Sequence, residues 1–161
     1  MFVAWFNNNI DMLQLLIDYA NKIYIILKLN EKNSYRSNPM LVARINNNNN
    51  LVKQFLDYAN KNDIILKLNE KNISNKYSLL IICLKNNIEM IQLLIIYANT
   101  HNIVFELKEK DNKGNWRLLN SCSNNNFEIF ELLVDRANKN NIFMDLNKYY
   151  WWIEFIIMGL F

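Results

Sequence analysis

Apolar side chains at Ile129, Phe130, Leu133, Val134 and Ala137 mark one stripe of an amphipathic helix, with Glu128, Glu131 and Asp135 among them on the polar side. The same stripe returns upstream at a fixed interval. Tyr19, Tyr58 and Tyr97 share one phase and Arg136 takes the fourth turn; 58 − 19 and 97 − 58 both give a period of 39. Ala20-Asn21, Ala59-Asn60, Ala98-Asn99 and Ala137-Asn138 follow in step. So do Ile25, Ile64, Ile103 and Ile142, and then Leu29, Leu68, Leu107 and Leu146. No gap is needed to keep the register. Self-similarity at an interval of roughly 20–50 residues is the signature of a solenoid, in which each unit meets the same packing problem against the same kind of neighbour.

One unit reads as a short helix, an Asn turn, a longer helix and an extended connector. In the last full unit, Lys113-Gly114-Asn115 is a turn signal and Trp116 to Ser123 a short helix with Leu118 and Leu119 facing inward. Asn124-Asn125-Asn126 breaks it before the long helix begins. Glu128 sits in the first turn of that helix, as Asp11 and Glu89 do in theirs, where a carboxylate suits the helix dipole. Ile142-Phe143-Met144-Asp145-Leu146 is a short β-prone run leading out. The pattern predicts short helices over about 39–46, 78–85 and 117–124, and long helices over about 11–22, 50–61, 88–100 and 127–139. Neither helix of a pair buries its face alone, so the units stack to share a core.

Composition changes this picture at the turns. The chain has 31 Asn against 2 Gly and 1 Pro. Asn is the non-Gly residue that best tolerates the left-handed conformation after a helix, so these turns pass to Asn. Asn8-Asn9, Asn47-Asn48, Asn86-Asn87 and Asn125-Asn126 recur in phase.

The 161 residues, 52% of them hydrophobic, suffice for a packed core. A formal charge of +3, not gathered into a basic block, argues against a dedicated nucleic-acid binder. No run reaches the roughly 20 apolar residues of a membrane span. Met1-Phe2-Val3-Ala4-Trp5-Phe6 lacks the basic start of a secretory signal. Cys83 and Cys122 stand one period apart, on equivalent helices expected about 8–10 Å from each other, too far for a disulfide. Two thiols in a reducing compartment are expected, hence an intracellular, cytoplasmic protein.

Asp111-Asn112-Lys113-Gly114-Asn115-Trp116-Arg117-Leu118-Leu119 resembles the Asp-x-x-Gly-x-Thr-Pro-Leu-His stretch of the ankyrin repeat. Pro39 stands where that family's proline opens the first helix, a favourable position for the ring. Ala43 stands at its small residue, and Glu89-Met90-Ile91-Gln92-Leu93-Leu94 is similar to its Glu-Val-Val-Lys-Leu-Leu run. The resemblance implies an all-α solenoid of stacked helix-turn-helix repeats with extended, hairpin-like connectors, covering residues 1–147 in about four units. It also implies a protein-binding scaffold.

The departures are specific. The ankyrin period is about 33 residues, and the surplus here falls between the long helix and the next turn. The family's Gly at the end of the long helix is Ala20, Ala59, Ala98 or Ala137, so that helix is expected to run about one turn further. A HEAT or armadillo array has a nearer period of about 40–47, but needs two long helices.

Both ends read as cut. Met1 is in phase with Met40, inside a short helix, and Ile157 lies one period after Leu118. Residues 148–161 form an aromatic segment in which Tyr149 to Phe161 has lost the polar turn. Three readings stand: a cap folded on the fourth unit, a self-association surface, or the stump of a longer array.

Little in the chain suggests catalysis. The lone His101 occupies a variable loop phase and is expected to be exposed and inert. Glu31, Glu70 and Glu109 share one environment, a solvated edge, whereas paired-carboxylate chemistry needs unlike ones. Gly114 alone forms no phosphate loop, and the cysteines lack zinc spacing. Asn72-Ile73-Ser74 is a sequon expected by chance in so Asn-rich a chain. No enzyme, no metal and no cofactor are expected.

The units disagree at the turn tips: Ser34-Tyr35-Arg36-Ser37, Ile73-Ser74-Asn75-Lys76 and Asn112-Lys113-Gly114-Asn115, followed by Asn38, Tyr77 and Trp116. In the family this chain resembles, tips and short helices line the concave face. Tyr, Trp and Arg are favoured at interface hot spots. The candidate partner-binding residues are Tyr35, Arg36, Asn38, Ile73, Lys76, Tyr77, Lys113, Asn115 and Trp116. The plain alternative is that Tyr77 and Trp116 pack on the next turn. The partner expected is another protein, with no nucleic acid and no membrane. The alternative role is a structural or self-assembling segment of a longer array, or one fused to an enzymatic domain.

Overall fold

The computed structural model describes residues 9–71, 73, 78–108 and 126–143. Every regular element among them is an α-helix: α1 (Ile10–Lys22), α2 (Pro39–Ile45), α3 (Asn49–Lys61), α4 (Ser78–Leu84), α5 (Ile88–Thr100) and α6 (Phe127–Lys139). The expected bounds hold to within one residue; the short helix over 117–124 lies outside the described residues. The chain divides into two compact units, Met1–Phe105 and Glu106–Phe161, with α1 to α5 in the first and α6 in the second.

Asparagine starts each long helix. The Oδ1 atoms of Asn9, Asn48, Asn87 and Asn126 accept the N–H groups of Met12, Leu51, Met90 and Ile129 at 2.9–3.0 Å, satisfying one of the four orphan donors at each helix start. Asparagine also ends the short helices. Asn47 and Asn86 are left-handed, with φ of 58° and 56°. The next N–H reaches back across the last turn, Asn48 to the Ala43 carbonyl and Asn87 to that of Ile82. The recurring Asn pair is therefore a C-terminal turn residue followed at once by an N-cap.

The long helices end by the same device four residues beyond the alanine ladder. Tyr24, Asp63, Asn102 and Asn141 are left-handed, and the following Ile25, Ile64, Ile103 and Ile142 N–H groups bond the carbonyls of Ala20, Ala59, Ala98 and Ala137 at 2.8–3.0 Å. This is the six-to-one bond of a Schellman turn. It accounts for both ladders: alanine is the last fully packed residue of the helix, and isoleucine closes the turn over it.

Within the first unit the helix pairs stack in chain order. α2 packs on α3 and on α4, α3 on α1 and α5, and α4 on α5. The core runs through Leu51, Val52, Phe55, Ile82, Met90, Ile91 and Leu94. α2 is buried from Pro39 to Arg44, on all sides rather than along one stripe.

The connectors after α1, α3 and α5 are extended, and among the described residues they form no strand. Leu27 and Leu29, Leu66 and Leu68, and Phe105 and Leu107 point inward, alternating with outward residues as in a half-buried strand. Side chains replace the missing ladder. Asn30 Nδ2 donates to the Ile65 carbonyl while its Oδ1 accepts the Lys67 N–H, at 2.8 and 2.9 Å. Asn69 repeats the first of these bonds on Val104. The Tyr58 hydroxyl accepts the Leu27 N–H at 3.0 Å, and the Tyr97 hydroxyl accepts that of Leu66 and donates to the Ile64 carbonyl. Each of these tyrosines thus anchors the connector of the preceding unit.

Candidate interaction surface

The turn before α2 is built around one side chain. Asn33 Oδ1 accepts the N–H groups of Tyr35 and Ser37, both at 2.9 Å. The Asn33 backbone closes the same loop, its carbonyl accepting from Arg36 and its N–H donating to Ser37. This fourfold tie holds Arg36 at φ 55°, in the left-handed region, and turns Tyr35 and Arg36 outward. Ser37 and Asn38 are buried directly behind them.

The second tip joins the first. The Ile73 N–H donates to the Tyr35 carbonyl at 3.2 Å, and Lys32 pairs with Glu70 just below. Tyr35 and Ile73 are 57% and 59% exposed, and Arg36 beside Tyr35 is exposed as well, so two large side chains and a guanidinium share one hydrogen-bonded stretch of backbone. Such a patch offers area at low ordering cost, because its backbone is already fixed.

Of the nine candidate residues, Tyr35, Arg36 and Ile73 are brought together in this way. Asn38 is not part of the exposed patch. It is 1% exposed and caps α2, its Oδ1 accepting the Leu41 N–H at 2.7 Å. The capping task belongs to Asn38 itself, an Asn being among the preferred N-cap residues. Lys76, Tyr77, Lys113, Asn115 and Trp116 lie outside the described residues, as do Cys122 and the segment Tyr149 to Phe161.

Two further expectations need correction. His101 is half-buried rather than loose: its ring stacks on Tyr97 at 4.0 Å and its Nδ1 lies 3.0 Å from the Tyr97 carbonyl. Asn62 and Asn140 hold the same phase and bond the carbonyls of Tyr58 and Arg136, so the position serves the helix end. Of the recurring glutamates, Glu31 is exposed and pairs with Lys28, but Glu70 is half-buried.

Two features escaped the sequence reading. Arg44 is fully buried, and desolvation lowers its pKa to about 9. Its Nε and Nη1 donate to the carbonyls of Met40 and Leu68 at 3.2 and 3.1 Å, and Nη2 has no partner among the described residues. The available signal was its phase, shared with Cys83 and Cys122, which marked the position as interior. A polar ladder also links the starts of α3 and α5. Asn87 donates to Asn47 and Asn49, while Glu89 accepts from Asn49 and pairs with Lys53. The Lys53 and Asn49 hydrogen bonds hold the Glu89 carboxyl below its usual pKa.

Among the described residues no group of three or more His, Cys, Asp or Glu could hold a metal ion, and no helix is long and apolar enough to cross a membrane. Cys83 is buried as a thiol. Every regular element among the described residues is a helix, and in the first unit the helices stack in pairs. No family model matches the chain, and no curated protein does either.

Proposed function

We propose that this chain is a non-enzymatic, intracellular scaffold of ankyrin-like solenoid type that binds another protein through its turn tips and short helices. The observation that carries the reading is the joined patch of Tyr35, Arg36 and Ile73, exposed on a turn that Asn33 ties with four hydrogen bonds. Supporting it, the short helices stack on one another in chain order, as a continuous binding surface requires. The residue types match those that dominate interface energetics.

The test is affinity capture from the native cell extract with wild-type protein and a triple variant, Tyr35→Ala, Arg36→Asn and Ile73→Ala. Asn keeps the left-handed turn while removing the guanidinium. The variant should melt with the wild type and lose the captured partner. Equal capture by both proteins refutes this placement of the surface.

A further inference from the structure

The extended connectors of the first unit turn an apolar residue outward at one shared phase. Ile26, Ile65 and Val104 are 61%, 62% and 50% exposed, while Leu27, Leu66 and Phe105 beside them are core. Ile65 has a connector on either side of it, so its exposure belongs to the interior of the stack. Asn30 ties the first connector to the second through the Ile65 carbonyl, and Asn69 ties the second to the third through that of Val104. The three side chains therefore form one row across neighbouring connectors.

The charges at the middle of the row complement one another. Asp63 and Lys67 flank Ile65, two residues before it and two after, and both are exposed. Four residues of extended chain hold them about 13 Å apart, and neither enters an ion pair among the described residues. On the first connector Lys28 is already paired with Glu31. Acid, isoleucine and base in that order are their own complement when a second such run lies over the first in the opposite direction.

We propose that the connector row binds a second copy of this chain, in a dimer whose twofold axis runs along the row. Ile65 then meets Ile65 of the other copy, and Asp63 of each copy meets Lys67 of the other. Ile26 and Val104 extend the apolar contact in the same way. Charge selects this axis. A twofold lying across the row would set Asp63 against Asp63 and Lys67 against Lys67 of the other copy, and like charges so placed oppose association.

The contact is isologous, so it closes at two copies. It uses none of the turn-tip residues and does not depend on what binds there. A row of three side chains falls short of the roughly 800 Å² per partner of a standard interface. The dimer accordingly forms as concentration rises and dissociates on dilution.

Sedimentation velocity of the full chain over a concentration series tests this. Wild type should pass from monomer to a species of twice its mass. Ile65→Asp should stay monomeric, with the thermal midpoint of the wild type in dilute solution, because Ile65 is exposed in the monomer. Lys67→Asp sets carboxylates against each other at both ends of the contact and should raise the dimer Kd at least about fivefold. Adding Asp63→Lys restores both pairs with reversed sign, so the double variant should return to within about twofold of the wild type. A lysine fits at position 63, since Tyr24 holds the same left-handed turn one period earlier. A wild type that stays monomeric throughout overturns the proposal, as does Ile65→Asp associating like the wild type. A double variant no tighter than Lys67→Asp overturns it equally, because the axis rests on that pair.

Discussion

Asparagine earns its abundance at two adjacent positions, one needing a positive φ and the next a side-chain acceptor. Where the chain departs from that chemistry, the cost is local and measurable. Tyr24 holds the left-handed position that Asn102 and Asn141 fill after their helices, and its side chain is almost wholly exposed. An aromatic residue gains nothing there to offset the steric penalty. Tyr24→Asn should therefore stabilise the protein by about 1 kcal/mol, read as an upward shift in thermal midpoint of roughly 2–4 °C.

Arg44 is the opposite case, a charge placed in the interior without a carboxylate. Two carbonyls partly compensate it, but a buried cation remains more costly than an apolar side chain of the same length. Arg44→Met should be neutral to more stable by about 1–4 kcal/mol in denaturant titration. The pH dependence follows from the lowered pKa. Between about pH 9 and the ordinary guanidinium range, the unfolded chain binds the proton that the folded one releases. Wild-type stability therefore gains on the variant as pH rises through that window. The difference between the two proteins should be constant below pH 9 and shrink above it.

At the scale of the element, each unit is held to the last by side chains reaching back across the junction. The Tyr97 hydroxyl satisfies a buried donor and a half-buried acceptor at once, and its burial raises its pKa. Tyr97→Phe leaves both backbone groups unpaired and should cost about 1–3 kcal/mol. Tyr19 has the same phase but an exposed ring, so Tyr19→Phe should change monomer stability by less than about 0.5 kcal/mol. Equal effects from the two would contradict the assignment of the hydroxyl to the junction.

The helices themselves were legible because their apolar spacing, Asn caps and repeat phase agree, and the extra turn past the alanine ladder followed from the missing Gly. The junction bonds were not legible. Periodicity shows that Tyr58 and Tyr97 share an environment, but a hydroxyl bonded to a backbone group 31 residues earlier depends on how closely two units approach. His101 was misread for a related reason. Asn62, Asn140 and His101 all bond a terminal helix carbonyl, so one task is met by unlike residues, although Ile23 at the same phase has no such side chain.

At the largest scale, the helix pairs of the first unit form a frame, and the turn tips are where the sequence differs from repeat to repeat. Tyr35 and Arg36 were legible as candidates from residue type and disagreement among units. Their union with Ile73 required the backbone bond between successive tips. Asn38 shows the weakness of disagreement as a signal, since a residue unlike its counterparts is here a buried cap. We propose that binding resides on this tip patch while stability resides in the frame. Titration calorimetry of the captured partner against wild type and against the Tyr35→Ala, Arg36→Asn, Ile73→Ala variant tests it most directly. The variant should show a Kd raised at least about thirtyfold with an unchanged thermal midpoint. An unchanged Kd would contradict it.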